Sequence, residues 1–189
     1  AFYGTQEIER EVLNVLAVDI FKATENEFDG YIAPGGTEAN IQAIWVFRNE
    51  FLHNYNAKLN EIAILASEDT HYSIPKASNL MQIDWLQIPV NFENREIDTN
   101  ALDTIISEAK NNGKKYFIAV SNMATTMFGS VDNPDVYTSI LEKHDVTYRL
   151  HIDGAYGGFV YPFSNQKSNI NFSNPKISSI TIDAHKMLQ

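Results

Sequence analysis

The sequence predicts an α/β protein with a mostly parallel, doubly wound sheet. Apolar runs short enough for buried strands recur along the chain, for example at 62–66 and 116–120. Segments with apolar residues at helical spacing lie between such runs, and turns that contain glycine or proline separate the two. Strands that alternate with helices indicate a parallel sheet that is covered by helices on both faces.

The elements follow in order from this pattern and from their end signals. A helix is predicted over 5–24, and a short strand at 31–33 meets Pro34-Gly35-Gly36, after which a second helix begins. Asp98 or Thr99 caps a helix that runs to about 111, and Pro134 opens a helix through 142. The remaining predicted elements are a helix over 71–80 and strands at 62–66, 83–89, 115–121, 147–152 and 177–182.

Composition excludes several classes of protein. A chain of 189 residues, 44% of them hydrophobic, suffices for one compact domain, and no linker or repeat suggests a second one. The net charge of −10 argues against nucleic acid as a partner. Without cysteine the chain has no disulfide and no Cys-based metal site. The apolar runs are too short for a membrane span, so a cytoplasmic protein is expected.

Two polar residues near the ends of the last two predicted strands suggest a ligand-binding site. Asp153 ends an apolar strand, where a carboxylate costs several kcal/mol unless a partner meets it. Lys186 comes 33 residues later, after the last predicted strand. Ligands of doubly wound sheets bind at the carboxyl ends of strands, and an acid with an amine suits an aromatic nitrogen cofactor bonded to the lysine. From these segments alone, Asp153 could instead cap the next turn, and Lys186 could be a surface cation.

Further upstream, two motifs offer a phosphate cradle and a stacking ring. Gly35-Gly36-Thr37 lies at the start of a helix, where glycine lets backbone N–H groups approach an anion and Thr37 adds a hydroxyl. His71 begins a helix directly after a strand, which places its ring near the same edge of the sheet. The alternatives are a tight turn for the glycine pair and a partly exposed polar role for His71.

Together, the motifs Gly-Gly-Thr-Glu-Ala-Asn (35–40), His-Tyr-Ser (71–73), His-Ile-Asp-Gly-Ala-Tyr-Gly-Gly (151–158) and Asp-Ala-His-Lys (183–186) resemble the pyridoxal 5′-phosphate (PLP) amino-acid decarboxylases of group II. The resemblance runs from about residue 30 to the last residue. It implies the large domain of a fold-type-I PLP enzyme. In that family, further sheet and a smaller C-terminal domain follow the lysine, so we interpret 1–189 as a single partial PLP-binding domain without the small domain.

The resemblance also implies roles for individual residues. Lys186 would form the Schiff base with PLP, Asp153 would bind the pyridine nitrogen, and His71 would stack on the ring. These three are the expected catalytic residues, and no metal is expected. The other expected cofactor-binding residues are Gly35, Gly36, Thr37, Thr126, Ala155, Asp183 and His185. Thr126 follows the strand at 115–121 in Ala124-Thr125-Thr126, which an ordinary strand-to-helix loop would also explain.

The implied reaction is decarboxylation of an L-amino acid to an amine and carbon dioxide. The form of the glycine motif favours a tyrosine- or aspartate-type substrate over glutamate. A homodimer is implied, with no nucleic acid and no membrane as partner. Two alternatives stay open: another fold-type-I enzyme, such as an aminotransferase or C–C lyase, and a catalytically silent dimerisation fragment.

Overall fold

A five-stranded parallel sheet forms the centre of the molecule. The structure, a computed structural model, describes residues 3–165 and 167–188. All strand pairs are parallel, and their order in the sheet is β2-β1-β3-β4-β5. The strands are β1 (Ile62–Ser67), β2 (Asp84–Ile88), β3 (Tyr116–Asn122), β4 (Thr147–Gly154) and β5 (Ile177–Ile182). The predicted doubly wound α/β fold is therefore confirmed, and the five later strands lie where the sequence placed them, to within two residues at each end.

Helices connect the strands and cover both faces of the sheet. They are α1 (Tyr3–Asn14), α2 (Gly36–Asn54), α3 (Ser73–Met81), α4 (Thr99–Asn111), α5 (Pro134–Lys143), α6 (Tyr161–Ser164) and α7 (Ala184–Met187). The predicted start signals act as expected, because the side chain of Asp98 accepts hydrogen bonds from two N–H groups of α4 and Pro134 is the first residue of α5. The short helices α6 and α7 were not predicted.

Alternation along the strands divides the core into two layers. On one face, Ile62 and Ile64 of β1 pack with the apolar side of α2 and α3. On the other face, Ala63 and Leu65 pack with α4 and α5. Successive residues of a strand point to opposite faces, so both layers are built from the same apolar runs. Helix α2 crosses β3, β4 and β5 and contacts α3, which brings its first turns to the carboxyl end of the sheet.

Near the start of the chain one prediction is wrong and another is confirmed only in part. Residues 31–33 form no strand, and Tyr31 and Ile32 are 45% and 57% exposed. The Tyr31 hydroxyl donates to Glu38 instead, at 2.6 Å. The first helix is α-helical only to Asn14 and continues as a π-helix (Val15–Ile20). Phe21, which follows the π-helix, is 2% exposed and packs in the core. Within the described residues, none of the helices combines the length and hydropathy needed to cross a membrane.

Candidate active site

The predicted site residues collect at the carboxyl end of the sheet. A narrow cleft there is lined by His71, Asn122, Ala124, Thr125, Thr126, Asp153, Ala155, Tyr156 and Lys186. A neighbouring, mostly apolar cavity of about 1150 Å³ is lined at one end by Gly35, Gly36, Asp183 and His185. The structure thus divides the predicted residues between two adjacent depressions, with the candidate acid, ring and amine in the first.

Asp153 lies at the end of β4 and is 6% exposed. One carboxylate oxygen accepts the N–H of Ala155 at 3.1 Å, and the other accepts the side-chain amide of Asn40 at 2.8 Å. Among residues 3–165 and 167–188, no ion pair is formed by Asp153. The residue therefore caps the following turn and also presents a buried negative charge to the cleft, which a cationic ring nitrogen would complement.

Lys186 lies on α7, directly after β5, and its side chain is 26% exposed. Its amine is 3.8 Å from one carboxylate oxygen of Asp183. The other oxygen of Asp183 is 2.7 Å from Nδ1 of His185, whose side chain is 72% exposed. The buried carboxylate of Asp183 thus holds the lysine beside the cleft, and His185 lies at the surface.

The first turn of α2 touches Asp183 directly. The N–H of Gly36 donates to Asp183 Oδ2 at 3.3 Å. A Cβ at position 36 would lie 3.1 Å from the Cβ of Ala155 and 3.2 Å from that oxygen, so a larger residue would have to displace one of them by a few tenths of an ångström. The N-terminus of this 19-residue helix carries a partial positive charge, which favours an anion at the predicted phosphate cradle. In this structure the carboxylate of Asp183 is that anion. Thr37 follows, half-buried, in the same turn.

His71 is half-buried beside Ser73, and burial lowers the pKa of its imidazole. Its Nδ1 lies 2.9 Å from the Ser73 hydroxyl and 3.3 Å from the Ser73 N–H. A backbone N–H can only donate, so Nδ1 is an acceptor and the proton of the neutral ring is on Nε2. The ring of Tyr72, 63% exposed, lies 4.1 Å from that of His71 between centroids.

The loop that carries Thr126 is fixed at its base by a buried carboxylate. Asp132 accepts hydrogen bonds from the backbone and side chain of Asn122, each at 2.8 Å. Burial raises the pKa of Asp132 to about 6. Ala124 has a positive φ of 65°, a conformation that favours glycine. Thr126 itself is exposed on the wall of the cleft.

Two buried polar residues of the site were missed from the sequence. Asn40 lies on α2, 1% exposed, and His151 lies on β4, fully buried, with its Nε2 3.1 Å from Asn40 Oδ1. Asn40 is four residues after Gly36, and His151 is two residues before Asp153. Both spacings put a residue on the same face as a predicted site residue, and this is the signal that could have found them.

Comparison with known proteins decides the family. A family model described as the pyridoxal-dependent decarboxylase conserved domain matches residues 4–189. The chain belongs to this family. A tryptophan decarboxylase of Clostridium sporogenes is 55% identical to it over 188 residues, which are 100% of this chain and 45% of that protein. A probable L-tyrosine/L-aspartate decarboxylase of Methanococcus maripaludis is 33% identical over 98% of this chain and 47% of its own length.

Solved structures of decarboxylases share the fold of this family member. The glutamate decarboxylase domain of a Vibrio parahaemolyticus protein matches with a TM-score of 0.83 and 24% identity, over 98% of this chain and 42% of that one. Oryza sativa TDC, solved with PLP and tryptamine, matches with a TM-score of 0.81 and 20% identity, over 99% and 40%. The chain spans less than half the length of these relatives.

The residues present fit the pyridoxal cofactor that the family uses. The backbone at the N-terminus of α2 suits an anion, as a phosphate requires: Asp183 accepts the N–H of Gly36, and a Cβ at Gly35 would meet nothing within 4 Å. Asp153 presents a buried carboxylate without a cation from the described residues, as a pyridine nitrogen requires. Lys186 supplies an amine in the wall of the same cleft.

Proposed function

We propose that this protein decarboxylates an L-amino acid with PLP as its cofactor and releases the amine and carbon dioxide. One observation carries the proposal: Asp153 of β4, His71 of the loop before α3 and Lys186 of α7 line a single cleft. Membership of the pyridoxal-dependent decarboxylase family supports the same reaction. The assignment of roles to the individual residues is part of the proposal.

The backbone at the start of α2 binds the phosphate. Gly36 N–H, now bonded to Asp183, is the donor that an incoming phosphate competes for, and Thr37 offers a hydroxyl in the same turn. Gly35 precedes the helix with open space on its Cα side, so backbone can approach the anion there. His185, which is exposed, lies at the outer side of Asp183, with Nδ1 2.7 Å from Oδ1.

The cleft orients the ring and the substrate. Asp153 would bind the ring nitrogen and favour its protonated form, and the small side chain of Ala155 would leave room for the ring next to it. His71 would cover the ring, and Thr126 lies in the wall of the same cleft. PLP, when bound, supplies the electron sink for the electron pair that remains on Cα after carbon dioxide leaves. The chain's own task is to orient the carboxylate of the substrate and to exclude water.

Lys186 supplies the amine that bonds to the cofactor. Its contact with Asp183, at 3.8 Å, keeps the side chain at the cleft rather than in solvent. Because the same carboxylate accepts the N–H of Gly36, Asp183 links the position of the amine to that of the cradle.

An aromatic L-amino acid is the proposed substrate, with tryptophan first. The supporting observation is the 55% identity to the Clostridium sporogenes tryptophan decarboxylase, against 33% for the tyrosine/aspartate type. Tyrosine, which the sequence favoured together with aspartate, is the second candidate.

We also propose a homodimer. Four large apolar side chains support it because each is more than half exposed: Tyr72, Phe92, Met127 and Phe128. Sedimentation equilibrium of the purified protein measures the oligomeric state.

The experiment is a paired measurement of cofactor and product. The purified protein with PLP should absorb in the visible, and Lys186→Ala should lose this band and all turnover. Lys76→Ala, at an exposed lysine on α3, is the matched control and should keep both. Each of the twenty amino acids is then assayed for carbon dioxide and for keto acid. Carbon dioxide from tryptophan is the expected product.

Three results would contradict the proposal. A visible band that survives in Lys186→Ala would remove the lysine from its role. Keto acid without carbon dioxide would indicate an aminotransferase. A protein that binds PLP but acts on none of the amino acids would indicate a catalytically silent relative.

A further inference from the structure

A buried polar chain lies directly beneath the candidate cleft, with Asn40 at its centre. Nδ2 of Asn40 donates to Asp153 at 2.8 Å and to the hydroxyl of Ser73 at 3.0 Å. Oδ1 of Asn40 lies 3.1 Å from Nε2 of His151. Nδ1 of His151 lies 2.7 Å from the hydroxyl of Ser179. A single side-chain amide therefore connects β4 and β5 with the start of α3.

The charge on Asp153 fixes the direction of every hydrogen bond in this chain. A carboxylate can only accept, so the amide of Asn40 must turn its NH₂ group toward Asp153 and its oxygen toward His151. His151 must then donate from Nε2, and Ser179 must donate to Nδ1. Burial lowers the pKa of His151 to about 4, so the ring is neutral at pH 7 and has only this one proton to place.

The second branch of the chain leads to the ring that lines the cleft. The Ser73 hydroxyl accepts from Asn40, so its own proton is directed to Nδ1 of His71, 2.9 Å away. This is the same tautomer of His71 that the Ser73 N–H requires. Asn40 is thus linked to both Asp153 and, through Ser73, His71, the two residues that the proposed function places against the cofactor ring.

We propose that Asn40 is a positioning residue that orients the carboxylate of Asp153 toward the cofactor, and that His151 acts through Asn40 by fixing its amide. The proposal rests on the proposed function, since it deepens the role of Asp153 there. The polar residues packed between the start of α2 and the sheet argue against a merely structural role for Asn40. Buried polar side chains cost free energy that apolar ones do not, and Ile44, one turn further along α2, meets the same layer with an apolar side chain.

The first measurement uses the protein without cofactor. Nitrogen-15 NMR of the five histidines, with His151 assigned from a His151→Gln variant, reports the tautomer of each ring. In the wild type, His151 should be neutral with its proton on Nε2 between about pH 5 and pH 8. In Asn40→Leu this proton loses its acceptor, so it should move to Nδ1 and donate to Ser179. Ile44→Ala, a buried change on the same helix, should leave the tautomer as it is in the wild type.

The second measurement uses the protein with PLP. Asn40→Leu should lower kcat by about 10–100-fold with little change in KM, and should shift the pH midpoint of the visible band. His151→Gln can still donate to Asn40 and accept from Ser179, whereas His151→Leu can do neither. We therefore expect His151→Gln to keep at least about five times more activity than His151→Leu.

The results separate this proposal from the proposed function. If the wild type neither absorbs in the visible nor releases carbon dioxide, the proposed function fails, and the NMR result still tests the hydrogen-bond chain. An unchanged His151 tautomer in Asn40→Leu would overturn the proposal, as would equal activity of His151→Gln and His151→Leu. If Asn40→Leu does not fold, the comparison of the two His151 variants decides.

Discussion

Replacing Gly158 by alanine is expected to disturb the candidate site through the backbone that carries Lys186. Gly158 follows β4, and its N–H donates to the carbonyl of Gly154 at 2.7 Å. An added Cβ would lie 2.7 Å from Gly154 O, 3.0 Å from Ile182 Cβ and closer still to Ile182 Cγ2. Ile182 is the last residue of β5, and Asp183 follows it. A displacement of Ile182 would therefore also displace Asp183 and the short helix that carries Lys186.

The contacts give the size of the effect. Ordinary van der Waals contact begins near 3.4 Å, so the new Cβ and Gly154 O must separate by about 0.7 Å. That oxygen belongs to the backbone and cannot rotate away. Overpacking of a buried site costs about 1–3 kcal/mol. A misplacement of about 1 Å near reacting groups costs up to about 100-fold in rate. We therefore expect Gly158→Ala to lose about 1–3 kcal/mol of unfolding free energy and roughly 10–100-fold in kcat/KM.

Three assays measure this prediction. Urea unfolding gives the stability, titration of the visible band with PLP gives the cofactor affinity, and release of carbon dioxide gives kcat/KM. Gly4→Ala is the control, because a Cβ there meets nothing within 4 Å. A Gly158→Ala protein as stable as the wild type would refute the packing argument. A protein that is destabilised yet has wild-type cofactor affinity and turnover would refute the link between this turn and the position of Lys186.

Three further predictions follow from single residues. Asp153→Ala should retain some cofactor and lose about 10²–10³-fold in carbon dioxide release; near-wild-type turnover would remove Asp153 from the mechanism. Asp183→Asn should bind inorganic phosphate on the order of tenfold more tightly in equilibrium dialysis, because it removes a like charge from the cradle at Gly36; weaker binding would contradict this. The raised pKa of Asp132 means that its contribution to stability declines by about 3 kcal/mol as the pH rises from about 4 to about 6, at 1.36 kcal/mol per pKa unit. In urea unfolding, the stability of Asp132→Asn relative to the wild type should therefore be greater at pH 7.5 than at pH 4, and a pH-independent difference would refute it.

Much of the fold could be predicted because its signals are local. The strands β1 and β3 are buried on both faces, so they occur as uninterrupted apolar runs, and α4 and α5 begin at recognisable caps. The strand predicted at 31–33 fails for a non-local reason. Tyr31 and Ile32 have side chains typical of strands, but a β-strand needs a neighbouring strand to hydrogen-bond with. This segment pairs with none of the five strands of the sheet.

The candidate site was predictable where topology alone collects its residues. The ends of parallel strands meet at one edge of the sheet, so Asp153 and Lys186 could be placed together from their order in the chain. The hydrogen bonds of Asn40 could not be predicted in this way. They join residues 111 and 113 positions apart, and depend on the angle and depth at which α2 packs across β4. Neither quantity can be read from local spacing.

The arrangement of polar and apolar residues on α2 connects folding with function. Ile44, Phe47 and Phe51 are buried against the sheet, while Asn40, one turn earlier on the same side, is buried among polar atoms. The change from apolar to polar packing occurs within one helical turn, at the level where β4 reaches Asp153. An entirely apolar layer would cost less to bury, but it would leave the carboxylate without its side-chain donor. Because apolar packing alone would have sufficed to hold the helix on the sheet, the polar layer supports the proposed role of Asn40 in orienting Asp153 under the cleft.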